Sequence, residues 1–219
     1  MAILADNASS REAVLSFTRE HGAVQFIRLQ WQDYSGVLRA TVLMVDRVLE
    51  MLRDDTPFKS PPYALECVLD NSIPTTVTQH GVYSLLPDWS SLRRTVAPDT
   101  ATVMCGLEHR PHGLAATTDL CPIMMLEGVV AKARDLFGLD FLIGFEVEFV
   151  ILDKTSDEGY CQPFGHHAVA GLRDSSFKLV KECVKHLAAQ GVAIHNIHTE
   201  GAGGGPAAPR ARLHQGRLC

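Results

Sequence analysis

Two glutamates at a spacing of two carry the first chemical suggestion in this chain. Glu146 and Glu148 lie in the stretch FLIGFEVEFVIL, residues 141–152, where every other residue is apolar or glycine. Such a run predicts a buried strand. Side chains alternate across a strand, so the two carboxylates share a face, with Cα atoms roughly 6.5–7 Å apart at two rises of about 3.3 Å. Like charges that close, withdrawn from water, repel each other and lose hydration, or take up protons. One or two divalent cations remove both problems. An Arg or Lys beside each glutamate, or an edge strand with that face in water, removes them as well, and the residues alone leave these readings open. Gly144 would clear room beside the first carboxylate.

A third carboxylate stands about fifty residues on, at the end of VAIHNIHTE, residues 192–200. Period-two alternation puts Asn196, His198 and Glu200 on one face. A second strand, reached through a strand–loop–helix unit, could bring Glu200 beside Glu146 and Glu148; an edge strand with a polar face fits the pattern equally. His166-His167 reads as loop chemistry, because an adjacent pair cannot easily bind one metal from a regular element. A small metal-dependent hydrolase finds little support: there is no G-x-S-x-G, no H-E-x-x-H and no G-x-x-x-x-G-K-S/T.

The elements that must position these groups follow from capping and periodicity. Ser9 or Ser10 can cap a helix running to about Glu20, with His21-Gly22 as its stop. Gln25, Ile27, Leu29 and Trp31 alternate on one face of a strand. The turn at 32–36 and the run Val37 to Leu43 complete a β-hairpin. Val45 to Arg53 predicts a short helix with Val48, Leu49 and Leu52 inward. Residues 54–77, with four prolines, read as irregular. Gly81 to Leu86 and Ala101 to Leu107 are two further strands around the turn Pro87-Asp88-Trp89-Ser90. Residues 108–118 form a turn-rich joint and an expected domain boundary. A helix capped by Thr118 or Asp119 then runs to Phe137, stopped by Gly138, with Met124, Met125, Val129, Val130 and Ala133 on its apolar side. Residues 153–172 read as a long loop. A last helix, capped by Asp174 or Ser175, runs to Gln190 with Phe177, Val180, Val184 and Leu187 in one stripe.

Composition bounds the whole. With 219 residues, 46% hydrophobic and 21% charged, the chain can bury a core. A net charge of −5 gives no sign of a nucleic-acid partner. There is no run long and apolar enough for a membrane span, and the first residues lack the basic and apolar regions of a secretory signal. The six cysteines are scattered without a C-x-x-C, which points to reduced thiols and a cytoplasmic setting; Cys105, Cys121 and Cys183 are expected in the core. The last segment, GAGGGPAAPRARLHQGRLC, holds five Gly, four Ala, two Pro and three Arg with no acidic residue, so it is expected to be disordered.

Taken together, the motifs resemble the glutamine synthetase family, closest to its branch of γ-glutamyl amine ligases and fungal relatives, over residues 20–202. Four places carry the likeness: Asp33-x-x-Gly36-x-x-Arg39, Leu86-Pro87-Asp88, Cys121-Pro122, and Gly144-x-Glu146-x-Glu148-Phe149 followed by His198-Thr199-Glu200-Gly201-Ala202. The resemblance implies an α+β chain. After an N-terminal helix (1–19), it would comprise a β-grasp domain over 20–107 and the first part of the α/β catalytic domain over 115–202, with a disordered, unrelated tail over 203–219. It implies an ATP-dependent ligase that joins glutamate to ammonia or an amine, with Mg²⁺ or Mn²⁺. Glu146 would hold the metal on the nucleotide side, and Glu148 and Glu200 the metal on the glutamate side. Family members are ring oligomers, so a homo-oligomer is expected.

Two departures limit what carries over. Ile123 stands where the family usually has Arg. Where the family continues from Glu-Gly-Ala with Pro-Gly-Gln, an aromatic residue and a further metal-binding Glu, this chain reads Gly203, Gly204, Gly205, Pro206 and Ala207. The break at residue 203 points to a shifted reading frame, a retained intron or a mispredicted gene model, which transcript sequencing across codons 195–210 tests. The ligase is therefore expected to be incomplete and inactive in this chain alone, the alternative being a non-catalytic or regulatory subunit that associates with full-length relatives.

Overall fold

The computed structural model describes residues 6–61, 63–67, 72–73, 82–110, 115–151, 167–173, 175–200 and 210–215. They form two compact units, residues 1–140 and 141–219. The start of the third helix is anchored in the first unit. There the buried Cys121 Sγ accepts the Leu107 N–H at 3.3 Å, and Ile123 and Met124 pack on the core.

The first unit opens with α1 (Asn7–Glu20). Its N-cap is Asp6, not Ser9 or Ser10: the Asp6 carboxylate accepts the Ser9 N–H at 2.7 Å, an orphan donor of the first turn. The hairpin follows as β1 (Phe26–Gln32) and β2 (Leu38–Met44), antiparallel with Phe26 opposite Met44 and Gln32 opposite Leu38. Alternation sends Ile27, Leu29 and Trp31 inward. Helix α2 (Val45–Arg53) buries Val48, Met51 and Leu52. The stretch expected to be irregular contains a short strand, β3 (Phe58–Ser60), which a three-residue pattern among prolines does not announce. Strands β4 (Val82–Pro87), β5 (Arg93–Arg94) and β6 (Thr100–Arg110) complete a six-stranded mixed sheet. Its order is β2-β1-β6-β4-β3, with β5 paired to β6 and β1 parallel to β6. One cluster of side chains, from Val14 of α1 to Cys121, fills its core.

Helix α3 (Pro122–Phe137) departs from expectation. Its N-cap is Cys121, with no side-chain capping bond, and Pro122 supplies the preset φ of the first turn. Gly138 ends it at φ +64°, a conformation that favours glycine. None of its residues is buried: Met125 and Val129, expected inward, are more than half exposed, because only the first turn meets the core.

The second unit contains β7 (Phe145–Val150), a 3₁₀ turn (Val169–Leu172), α4 (Ser175–Ala189), β8 (Ile194–Glu200) and β9 (Arg210–Gln215). These three strands form an antiparallel sheet of order β7-β9-β8. Val180 of α4 is buried, while Cys183, expected in the core, lies exposed on the same helix. The tail expected to be disordered supplies β9. The backbone groups of β7 and β8 need partners, and β9 satisfies one side of each. Most of the long loop, including His166, and residues 201–209 and 216–219 of the tail lie outside the described residues. Among the described residues no helix is long and apolar enough to cross a membrane.

Candidate functional site

The motif residues of the first unit prove to be structural. The Asp33 side chain is fully withdrawn from water, and Arg39 Nε donates to its Oδ2 at 2.7 Å. Its Oδ1 accepts the N–H groups of Ser35 at 3.0 Å and Val37 at 2.8 Å. Gly36, at φ +77°, lets the chain reverse between them. Burial works to raise the pKa of Asp33, and the bonds from Arg39, Val37 and Ser35 together with the Arg39 charge outweigh it, leaving the carboxyl below its usual value. Asp88 likewise closes a turn: its carboxylate accepts from the Ser90 N–H at 3.1 Å and the Ser90 hydroxyl at 2.6 Å. Cys121 ties α3 to β6. Three of the four motifs thus clasp the scaffold.

The fourth motif holds the residues expected to bind metal. Glu146 and Glu148 lie on one face of β7, as expected from alternation. The strand itself is not buried. Both glutamates are exposed, and the apolar Phe145 and Val147 are 45% and 51% exposed. The physical reason is position: among the described residues β7 is an edge strand, paired with β9. Among the described residues, no atom beyond its chain neighbours lies within 4 Å of a Cβ added at Gly144. The exposure of this strand is that of a wet edge.

On β8, Asn196, His198 and Glu200 share a face. His198 is buried, and its ring stacks on that of His167 with centroids 4.5 Å apart and planes 10° from parallel. The His167 N–H donates to the Thr199 carbonyl at 2.8 Å, and its own φ is +57°. His167 is therefore a companion of the His198 ring, a role its adjacency to His166 did not signal. The three glutamates do not sit on neighbouring strands. β9 runs between β7 and β8, with Glu146 opposite His214, Glu148 opposite Arg212 and Glu200 opposite Arg210. Three carboxylates on one face are the right donor type for a hard divalent cation. Among the described residues, however, no three His, Cys, Asp or Glu side chains converge closely enough to hold a metal ion.

Two further polar features escaped the sequence because distant segments build them. The buried Tyr83 hydroxyl donates to Glu66 Oε1 at 3.0 Å, and its ring stacks on His109 at 4.7 Å. Burial and the neighbouring Glu66 push the Tyr83 pKa well up. A cavity of about 480 Å³ in the first unit is lined by Asn7, Asp55, Phe58, Lys59, Trp89 and Glu108 among others.

A mixed sheet with α1 and α2 on its core, followed by a glutamate-bearing strand, defines the class: the chain has the fold of part of glutamine synthetase-like proteins. It overlays a GmaS structure in complex with ADP at a TM-score of 0.65 and 18% identity, covering 92% of this chain and 43% of that one. A glutamine synthase homolog gives 0.65 and 20%, over 88% of this chain and 44% of the homolog. Plasmodium falciparum glutamine synthetase gives 0.63 and 13%, over 97% and 44%. In sequence, the chain is 25% identical to Protein fluG of Emericella nidulans over 206 residues, 90% of this chain and 23% of fluG. No protein-family model matches. The chain spans less than half the length of these structures and under a quarter of fluG. The likeness read from the motifs is thus met in both sequence and fold.

Proposed function

We propose that this chain carries the opening portion of a glutamine synthetase-like, ATP-dependent carboxylate–amine ligase, with the first unit as its β-grasp domain. The observation that carries the reading is the conjunction of fold and motif. A chain with this overlay places Glu146 and Glu148 on one face of β7, and His198 and Glu200 on one face of a second strand of the same sheet. In the ligase, Glu146, Glu148 and Glu200 would hold Mg²⁺ or Mn²⁺. When bound, such ions neutralise the phosphoryl group passing from ATP to a carboxylate such as that of glutamate, so that ammonia or an amine can displace it. The chain's own contribution is to present Glu146 and Glu148 on one face of β7 and to hold the His198 ring against His167. Preorganised electrostatics is usually the largest catalytic contribution, and a chain covering under half of its matched structures supplies part of it.

These 219 residues are therefore expected to be inactive by themselves. Phosphate release from ATP with Mg²⁺, glutamate and ammonia or a polyamine, measured beside a Glu148→Ala control, tests this. Release at the control level is the expected outcome. Release that Glu148→Ala abolishes would overturn the claim of inactivity and show a working site.

A second reading draws on the exposed apolar surface of α3 and β7, where Met125, Leu126, Val129, Phe145 and Val147 stand 45–63% exposed. Surface of this kind favours association. A non-catalytic subunit that joins full-length relatives would use it. Light scattering after size exclusion, alone and mixed with a full-length glutamine synthetase-like protein, decides between them; a defined co-assembly supports the subunit, and a lone monomer counts against it.

A further inference from the structure

The cavity of the first unit has a polar row running across its wall. On β3, Lys59 stands exposed between the buried Phe58 and Ser60. It lies directly opposite Ser84 of β4, and Ser84 lies directly opposite Glu108 of β6. Strand alternation puts the three side chains on one face, and all three line the cavity. Val82 and Leu86, two residues to either side of Ser84, share that face and line it as well. An ammonium, a hydroxyl and a carboxylate thus stand in line between apolar neighbours, with directly opposite Cα atoms about 5 Å apart. The other walls are held in shape. Phe58 and Trp89 meet edge to face with ring centroids 6.2 Å apart. Asn7 Nδ2 donates to Asp55 Oδ1 at 2.6 Å, which ties the first turn of α1 to the segment before β3. Asp55 itself sits at φ +50°, a left-handed conformation that a non-glycine residue holds only under constraint from its surroundings.

We propose that this cavity binds a small zwitterion, an α-amino acid with an apolar or aromatic side chain. Its volume of about 480 Å³ falls within the roughly 300–1,000 Å³ of small-molecule sites. The charges select the class. A simple anion, such as a phosphate, meets two carboxylates, Asp55 and Glu108, against the one ammonium of Lys59. A simple amine meets that ammonium as a like charge. An α-amino acid answers both signs: its carboxylate accepts from Lys59 Nζ and the Ser84 hydroxyl, and its ammonium donates to Glu108. A carboxylate has about four lone-pair sites, so Glu108 can take the ligand ammonium beside the interaction it already makes. The flexible four-carbon stem of Lys59 lets Nζ reach over Ser84, which brings the two protein charges to the close spacing of the groups on one α-carbon. The ligand's side chain covers Val82 and Leu86, and an aromatic one also meets the Phe58–Trp89 pair. All these residues belong to the first unit, so the site stands or falls independently of the ligase reading.

The test is isothermal titration of the full chain at neutral pH with three probes of one shape. They are L-phenylalanine, phenethylamine, which lacks the carboxylate, and hydrocinnamate, which lacks the ammonium. Phenylalanine is expected to bind about tenfold or more tightly than either analogue. Lys59→Gln should weaken phenylalanine about tenfold and leave phenethylamine no weaker. Glu108→Gln should weaken phenylalanine by a similar factor and leave hydrocinnamate no weaker. Lys59 is exposed, so its variant should keep the fold, and thermal unfolding checks both variants. Should Glu108→Gln fail to fold, Lys59→Gln and the three probes on the wild type still decide. Equal affinity for all three probes would show an apolar pocket blind to charge, and tighter binding of either analogue a site for a single charge; both results overturn the proposal. So does the absence of phenylalanine binding by the folded wild type at millimolar concentration.

Discussion

In the first unit Ile27, Leu29, Val48, Leu65, Ala101 and Val103 are fully withdrawn from water, whereas among the described residues of the second unit Val180 is the one buried apolar side chain. The two units also spend their motifs differently. Asp33, Asp88 and Cys121 bind backbone groups of their own unit and hold turns and a helix start in place. Glu146 and Glu148 stand exposed on a sheet edge. The motifs therefore divide into those that build the scaffold and one that stands exposed, and only burial and hydrogen-bond partners tell them apart.

The contrast is sharpest in what a truncated side chain should cost. Leu29→Ala removes a fully buried side chain from a closed core and should lower stability by about 2–5 kcal/mol in denaturant unfolding. Val147→Ala, in an equally apolar-looking strand, should cost less than about 1 kcal/mol, because half of its surface already meets water. Comparable losses at the two positions would break the distinction between the units.

The Asp33 clasp comes next in size. Asp33→Asn leaves the partly exposed Arg39 facing a neutral acceptor and should cost about 2–3 kcal/mol at neutral pH. The folded-state pKa of Asp33 is lowered, so its contribution is fully present above the unfolded value of about 3.9 and is lost as the pH falls through the folded value. Wild type and variant should therefore converge in stability under acid, below about pH 4. A gap that stays constant from pH 7 to pH 3 would refute the role given to the carboxylate charge.

Gly36→Ala should cost about 1–2 kcal/mol, through backbone conformation alone. At φ +77° an added Cβ meets, among the described residues, Gln32 Nε2 at an ordinary 3.9 Å. Thermal unfolding measures it, and no change would mean that the turn relaxes freely. Thiol labelling carries the smallest energetic consequence and the clearest map. Cys183 should react within minutes, while Cys105, buried and with its thiol pushed up to about 12, should react only on global unfolding. Labelling of Cys105 at the Cys183 rate, read by peptide mass spectrometry, would show that the first core opens locally.

Much of the scaffold could be read directly from residue order. The Ile27, Leu29 and Trp31 alternation marked the buried face of β1, and the helix over Val45–Arg53 was evident from its stripe, because both patterns report one-sided burial. The places where the reading failed share a cause. Apolar runs at 122–137 and 141–152 predicted burial, yet hydrophobicity states only that a surface would gain from being covered, not that a cover is present. β3 was too short to show a period, and the cavity beside Trp89 gathers residues from four separated stretches of the chain.

Sequence by itself determined that Glu146 and Glu148 share a face, since strand alternation is a property of the backbone alone. It likewise determined that Asn196, His198 and Glu200 share one, and that the last segment is basic and free of acid. Tertiary structure decided which strand lies between them. Pairing across strands depends on which backbone edges are open, and no local pattern contains that information. The same structure turned a tail expected to be disordered into β9 and set Arg210, Arg212 and His214 opposite the glutamates.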